Sequence, residues 1–372
     1  MLPSLALLAA ALAPGIPAGA AGDRAGGAAM QPVVRYLPLP SGQAGFVGAL
    51  PEIYVEGAIG ESTLTQLRRI VDEHGLAAAR VRFDSRGGDL LAAIEIGYYL
   101  REKAFVTEVA AFGGAWGRFR PGQCLSACAV AYLGGRYRYL DPGSRFAVHR
   151  FSTPGAENGA SAHEIEQQTQ ALAGVLVAYL GQMGVDVEFF RRMSERAHAD
   201  MDYLGRGELL RMGVVNDGSL PPSWTLEIDG GEAVMAGRQE RIANSATVTL
   251  RCGGPVDLHV ATQHFEPGWQ ESLAAADLQW ALGDERVPVD PRAFRRSVSV
   301  RDGYFRAAIG LDAAHAARLS SAPAIGLAVT AGGRRYDYRV DIVAATDREA
   351  IRRFVDFCSG SGRVGLAPAG SR

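Results

Sequence analysis

Between Ile53 and Asn216, short runs that alternate like strands take turns with longer runs of helical spacing, and this constrains the fold more than any other feature of the chain. "EIYVEGAIG" alternates as a strand, "STLTQLRRIVDEH" repeats its apolar residues at helical intervals, and "AARVRFDS" is strand-like again before the turn in "RGGD". The order continues through a helix in "LLAAIEIGYYLREK", a strand in "FVTEVAAF", short strands in "RYRYL" and "RFAVHRF", and the long helix "SAHEIEQQTQALAGVLVAYLGQMG". A second helix, "DVEFFRRMSERA", leads into "DMDYLGRGELLRMGVVN". Repeated strand–helix–strand units predict an α/β domain over 51–217 with a largely parallel sheet covered by helices. The Pro pair in "SLPPSW" marks a boundary near residue 220. Beyond it, runs such as "WTLEID", "ATVTLRC", "PVDLHVAT", "AIGLAVTA" and "RYDYRVDIVAA" predict a smaller, mainly antiparallel β domain over 222–360, closed by a helix from Asp347.

With 372 residues, 48% of them hydrophobic, the chain has material for two such cores. A formal charge of −2 leaves no basic surplus for a phosphate backbone, which argues against a nucleic-acid partner. Lys103 is the only lysine, so a lysine base has one candidate. The opening "MLPSLALLAAALAPGIPAGA" is short and apolar, is broken by Pro14 and Pro17, and ends in the small residues Ala18, Gly19 and Ala20. It reads as a secretory signal peptide cleaved near Ala20, although no Lys or Arg precedes Arg24. A periplasmic or secreted location is therefore expected. Residues 21–50, rich in Ala, Gly and Pro, read as a linker, and 361–372 as a disordered tail.

Export makes disulfides admissible, and the cysteines number four. Cys252 ends a strand-like run and Cys358 lies in the terminal helix, so a bridge between them would tie that helix to the sheet. Cys124 and Cys128 flank Ser126 and can bridge only if Cys124 lies before the helix, since i,i+4 geometry within a helix suits a disulfide poorly. A single C-x3-C gives no zinc site, and His259 and His264, five apart in a strand-like run, point to opposite faces; no metal and no cofactor is expected.

The chemistry concentrates around "GQCLSACAV". Acyl transfer needs a nucleophile beside a base and two backbone N–H groups where charge develops on the carbonyl oxygen. Ser126 follows a strand and opens an apolar helix; the Gly87–Gly88 turn closes an earlier strand, at the end where open α/β sheets bind ligands. His149 ends a later strand and could serve as the base. Taken alone, Ser126 reads more readily as a helix N-cap, a role serine favours, or as a packing residue than as a nucleophile. Trp116, Arg118 and Phe119 read as a loop at the mouth of the site or as a surface loop held by its own aromatics. Arg191 and Arg192 read as a solvated helix face.

Together these segments resemble the ClpP/crotonase superfamily, most of all the proteolytic subunit of the Clp protease. "SRGGD" is similar to the family's Ser-x-Gly-Gly turn, "GQCLSACAVAYLGG" to its nucleophile segment, and "RYRYLDPGSRFAVHRF" to the segment bearing its catalytic histidine. "MDYLGRGELLRMGVVN" resembles the end of the domain, and a group of predicted exported bacterial proteins shares the Cys-x-Ser-Ala-Cys signature. The resemblance covers a little under half the chain and implies a ClpP-like spiral of βαβ units. It implies Ser126 as nucleophile, His149 as general base, and an oxyanion hole from the amides of Gly87 or Gly88 and of Ala127. The family's aspartate position falls on Met201, so Asp200 or Asp202 serves only if the register differs by one residue.

The implied activity is ATP-independent serine-type hydrolysis of a peptide or protein substrate, with no unfoldase partner. The long helix over 161–183 resembles the one through which the family stacks its rings, which leaves a homo-oligomer open. The competing reading is a catalytically inactive envelope scaffold or binding protein, because fold does not fix function. A Ser–Lys dyad is disfavoured by the position of Lys103, and acyl-CoA chemistry by export and by His149.

Overall fold

The computed structural model describes residues 31–43, 49–151, 161–197, 200–252, 256–262, 277–289, 298–301, 304–310, 315, 318–319, 321–331 and 334–360. The expected signal peptide over 1–20 and tail over 361–372 lie outside them. The protein is a mixed α/β structure with two compact units, the chain leaving the first after Asp217.

In the first unit, β1 (Val33–Leu37), β2 (Glu52–Glu56), β3 (Arg80–Asp84), β4 (Val106–Val109) and β8 (Tyr137–Leu140) form one sheet in the order β1-β2-β3-β4-β8. The last four run parallel, while β1 is an antiparallel edge with Arg35 opposite Tyr54. Val33–Leu37, within the stretch expected to be a linker, is therefore an edge strand. The strand "VVRYL" is five residues inside Pro- and Gly-rich sequence, too short to assert its period.

The parallel strands are connected by helices whose stripes match the sequence. In α1 (Glu61–Glu73), Leu64, Leu67 and Val71 are buried at i, i+3 and i+7; α2 (Leu90–Glu102) buries Ala93, Ile96, Gly97 and Leu100. Asp89 starts α2 by accepting the Ala92 N–H at 2.7 Å. The long α4 (Ala162–Gln182) packs through Leu172, Leu176 and Tyr179. It meets α2 where Gly97 has no side chain: a Cβ there would stand 1.8 Å from the Tyr179 hydroxyl, which donates to the Val130 carbonyl at 2.7 Å.

Pleating sends Val81 and Phe83 of β3 into the apolar core and Arg80 and Arg82 to the other face. There the Arg82 guanidinium pairs with Glu52 and, at 3.0 Å, with Glu108, and it donates to the Tyr54 hydroxyl at 2.9 Å. The hairpin β5 (Ala111–Phe112) to β6 (Phe119–Arg120) lies over this charge cluster, with Phe119 stacked on Arg82 and Phe112 edge-on to Tyr54.

The second unit has two antiparallel sheets. One orders β11 (Ser223–Asp229), β12 (Glu232–Glu240), β13 (Asn244–Arg251), β14 (Val256–Thr262), β18 (Tyr304–Ile309) and β17 (Val298–Arg301); the other orders β16 (Glu285–Pro288), β15 (Asp277–Leu282), β19 (Ala324–Ala331) and β20 (Arg334–Asp341). Trp280, Phe305, Leu327, Val340 and, from the terminal α7 (Ala345–Gly360), Ile351 fill its core. Cys252, just past β13, is bonded to Cys358 of α7, their Cα atoms 4.9 Å apart.

Candidate active site

The site grows from the end of β3. Ser85 is 1% exposed, and its Oγ accepts the Gly87 N–H at 3.1 Å, which folds the chain into the turn. Gly87 (φ +111°) and Gly88 (φ +149°) lie where a Cβ is not tolerated. A Cβ on Gly88 would come within 2.2 Å of the Ile59 carbonyl oxygen, and one on Gly87 within 2.8 Å of the Ser126 Cβ. The glycine turn is thus in direct contact with the serine.

Ser126 is presented by β7 (Gln123–Leu125), which is gripped from both sides. On one side Ser85 N–H donates to the Gln123 carbonyl at 2.7 Å and Leu125 N–H to the Ser85 carbonyl at 3.1 Å. On the other, β7 runs parallel to β9 (Arg145–Val148), with Leu125 opposite Ala147, and Ser126 N–H donates to the Ala147 carbonyl at 2.9 Å. Past β7 the chain turns abruptly into α3 (Ala127–Tyr132), all six of whose residues are buried. The turn puts Ser126 at φ +57° and ψ −124°, a conformation rare outside glycine, and leaves its half-buried side chain without a capping bond to the helix. Ser126 thus stands at the N-cap position of α3 without capping it through its side chain.

His149 follows β9 directly, so it stands at the same end of the parallel β7–β9 pair as Ser126. It is 5% exposed, and its Nδ1 lies 2.8 Å from the Arg150 carbonyl oxygen. A carbonyl can only accept, so Nδ1 carries the proton and Nε2 is the basic nitrogen. Arg150 is itself anchored: its N–H donates to the Arg196 carbonyl at 2.8 Å and its Nε to the Ser194 carbonyl at 3.0 Å.

The amides expected to form an oxyanion hole divide. Among the described residues, the N–H groups of Gly88 and Ala127 meet no protein acceptor, whereas that of Gly87 is taken by Ser85. Of the two glycines, Gly88 is the one with a donor to offer.

The aspartates expected near His149 are engaged elsewhere. β10 (Asp202–Tyr203) pairs antiparallel with β9, Asp202 opposite Val148, and continuing that register sets Met201 opposite His149. The Asp202 carboxylate accepts from Arg192 Nε at 2.6 Å and Nη2 at 3.0 Å, while Arg192 Nη1 reaches Glu208 at 2.8 Å. These charge-assisted bonds, that from Asp202 foremost, hold the guanidinium pKa above its ordinary value, and the bond from Arg192 holds the Glu208 carboxyl below its own. Asp200 is exposed and pairs with Arg196 at 3.3 Å. Both aspartates thus have arginine partners, and the solvated-face reading of Arg192 is corrected, its side chain being 21% exposed. Arg191 does lie on the exposed face, between Glu188 and Glu195.

Sequence reasoning also missed what holds the far end of α3. Arg101 donates to the carbonyls of Leu133, Gly134 and Gly135 at 3.0–3.1 Å, and Arg138 to those of Leu133 and Gly135 at 3.2 and 2.9 Å. Two cations so placed satisfy the open carbonyls of a helix C-terminus. Burial pushes the Arg138 pKa down to about 10. No sequence signal marks either arginine, because their partners are main-chain atoms.

Cys124 and Cys128 are disulfide-bonded, their Cα atoms 5.2 Å apart. Cys124 belongs to β7 and not to the helix, which meets the geometric condition set by their spacing. The Trp116 loop is tied down by its Nε1–H, which donates to the Leu50 carbonyl at 2.9 Å. Among the described residues no group of three or more His, Cys, Asp or Glu is placed to hold a metal ion, and His264 lies outside them.

No family model matches the chain, and no curated protein does. Among solved structures, mutants of the 1510-N membrane-bound stomatin-specific protease, one in complex with a substrate peptide, align at 18% identity and a TM-score of 0.32, over 44% of this chain and 75% and 71% of theirs. ClpP1 from Listeria monocytogenes aligns at 17% identity and a TM-score of 0.32, over 44% of this chain and 88% of its own.

Proposed function

We propose that the protein is an exported, ATP-independent serine-type peptidase whose ClpP-like first domain hydrolyses peptide bonds with Ser126 and His149. The observation that carries the reading is the backbone at Ser126. A serine held at positive φ, with its hydroxyl withheld from helix capping, is a conformation that packing alone does not ask for. In the proposed reaction His149 Nε2 takes the hydroxyl proton as Ser126 Oγ attacks the peptide carbonyl, and the amides of Gly88 and Ala127 receive the charge on oxygen. The leaving amine then takes that proton from His149. Water, activated by the same imidazole, cleaves the acyl-enzyme. The Arg150 carbonyl fixes the tautomer, the task an aspartate performs in the triad.

A second reading, an inactive ClpP-like scaffold, is favoured by one fact: Asp202 and Asp200, on either side of the residue opposite His149, both face arginines. A fluorophosphonate probe decides between them. Covalent labelling of the folded protein that vanishes in Ser126→Ala is the expected result; well-folded wild type that takes no label would establish the scaffold.

A further inference from the structure

The backbone conformation of Ser126 has to be imposed by its surroundings, and its hydrogen bonds give only part of the imposition. Ser126 N–H is held by Ala147 and its carbonyl accepts the Ala129 N–H at 2.9 Å. The helix that follows has six residues, too few to sustain itself. Its C-terminal end is fixed by Arg101 and Arg138. At its N-terminal end the fixture is covalent: the disulfide joins the middle residue of β7 to the second residue of α3, across the serine, and both cysteines are 0% exposed.

We propose that the Cys124–Cys128 disulfide is a positioning element for Ser126. It ties strand to helix across the sharp turn, so that the serine keeps its positive φ and the Ala127 amide its direction. Without the bond, the segment relaxes toward an ordinary helix start, and reactivity falls before the fold does. The inference rests on the reading of Ser126 as a nucleophile. Neither sulfur touches the substrate, so both cysteines act through the main chain of their neighbour. A buried cross-link that served only the core would leave probe reactivity untouched once the protein had folded.

The test compares wild type with Cys124→Ala/Cys128→Ala, and with Cys128→Ser alone should the double variant fail to fold. One readout is fluorophosphonate kinetics, split into probe affinity and inactivation rate; the other is amide hydrogen exchange of peptides spanning 122–133 and α2. The expected result is an inactivation rate lowered tenfold or more at similar probe affinity. Exchange should quicken over 122–133 and stay unchanged in α2. An inactivation rate within twofold of wild type, or unchanged exchange over 122–133, would overturn the positioning role and leave the nucleophile reading standing. A wild type that takes no label removes the nucleophile reading itself, and the positioning role with it, whatever the exchange shows.

Discussion

At the scale of single residues, the site turns on which partner each polar group has already taken. Asp202 is 11% exposed at its side chain and gives both oxygens to Arg192, so replacing it removes a charge-assisted pair and leaves His149's own contact with Arg150 in place. Asp202→Asn should therefore lower stability by about 1.5–3 kcal/mol in urea unfolding, the range for hydrogen bonds to charged groups. Its fluorophosphonate labelling rate at Ser126 should change less than about tenfold; a loss of about ten-thousandfold, as when a triad aspartate is neutralised, would restore Asp202 as the orienting acid. The residue types of this site could be read from the chain, but their partners could not. "SRGGD" and "CLSAC" announce a turn and a flanked serine, yet nothing in them says that the Gly87 amide is spent on Ser85 or that Ser126 sits at positive φ. Asp200 and Asp202 alternate about Met201 in the sequence, and only the register with β9 shows that neither stands opposite His149.

At the scale of elements, the parallel sheet of the first unit carries an ionic cluster on one face, and its tyrosine gives it a signature in alkali. Tyr54 is fully buried; its hydroxyl donates to Glu52 at 3.1 Å and accepts from Arg82 at 2.9 Å. Burial first, and then Glu52, push its pKa up to about 12, although Arg82 pulls the other way. The folded protein thus holds this proton more tightly than the unfolded chain does. The stability it confers is whole below pH 10, the ordinary tyrosine value, and drains away as the pH climbs toward 12. Tyr54→Phe should be less stable than wild type at pH 8, because Glu52 and Arg82 lose a partner. Between pH 10 and 12 its stability should fall less steeply, by at most about 1.4 kcal/mol per pH unit, the ceiling for one proton. Urea midpoints at successive pH values check this, and parallel slopes would refute it; the remaining slope belongs in part to Tyr132 and Tyr179, also raised by burial. Elements with a strong period, such as α1 and β3, were legible in the sequence. β12 was not, because its "AVMAG" core lacks the β-branched run that marks a strand. Its Gly237 is small for a reason that lies in another strand: a Cβ there would meet the Trp224 ring at 2.6 Å.

At the scale of the whole molecule, the two units differ in how they are closed. The first has an α/β core of its own and a disulfide spanning four residues, which restrains a turn and little else. The second is cross-linked from Cys252 to Cys358, a separation of 106 residues that encloses every described strand from β14 to β20. A cross-link over a loop of that size removes about 4.7 kcal/mol of chain entropy from the unfolded state, and losing such bonds in practice destabilises by about 2–5 kcal/mol. The chain carries its own reporters for the two parts. Three of its four tryptophans, Trp224, Trp269 and Trp280, come after Gly218, so tryptophan fluorescence follows the second unit, while labelling at Ser126 follows the first. In Cys252→Ser/Cys358→Ser the fluorescence transition in urea should move to lower denaturant, corresponding to a loss of about 2–5 kcal/mol. The labelling rate in native buffer should stay at the wild-type value, because both cysteines belong to the other unit and pack against its core. A variant in which labelling fell along with the fluorescence midpoint would show that the β unit contributes to the reactivity of Ser126, and the two units would then have to be treated as one cooperative body.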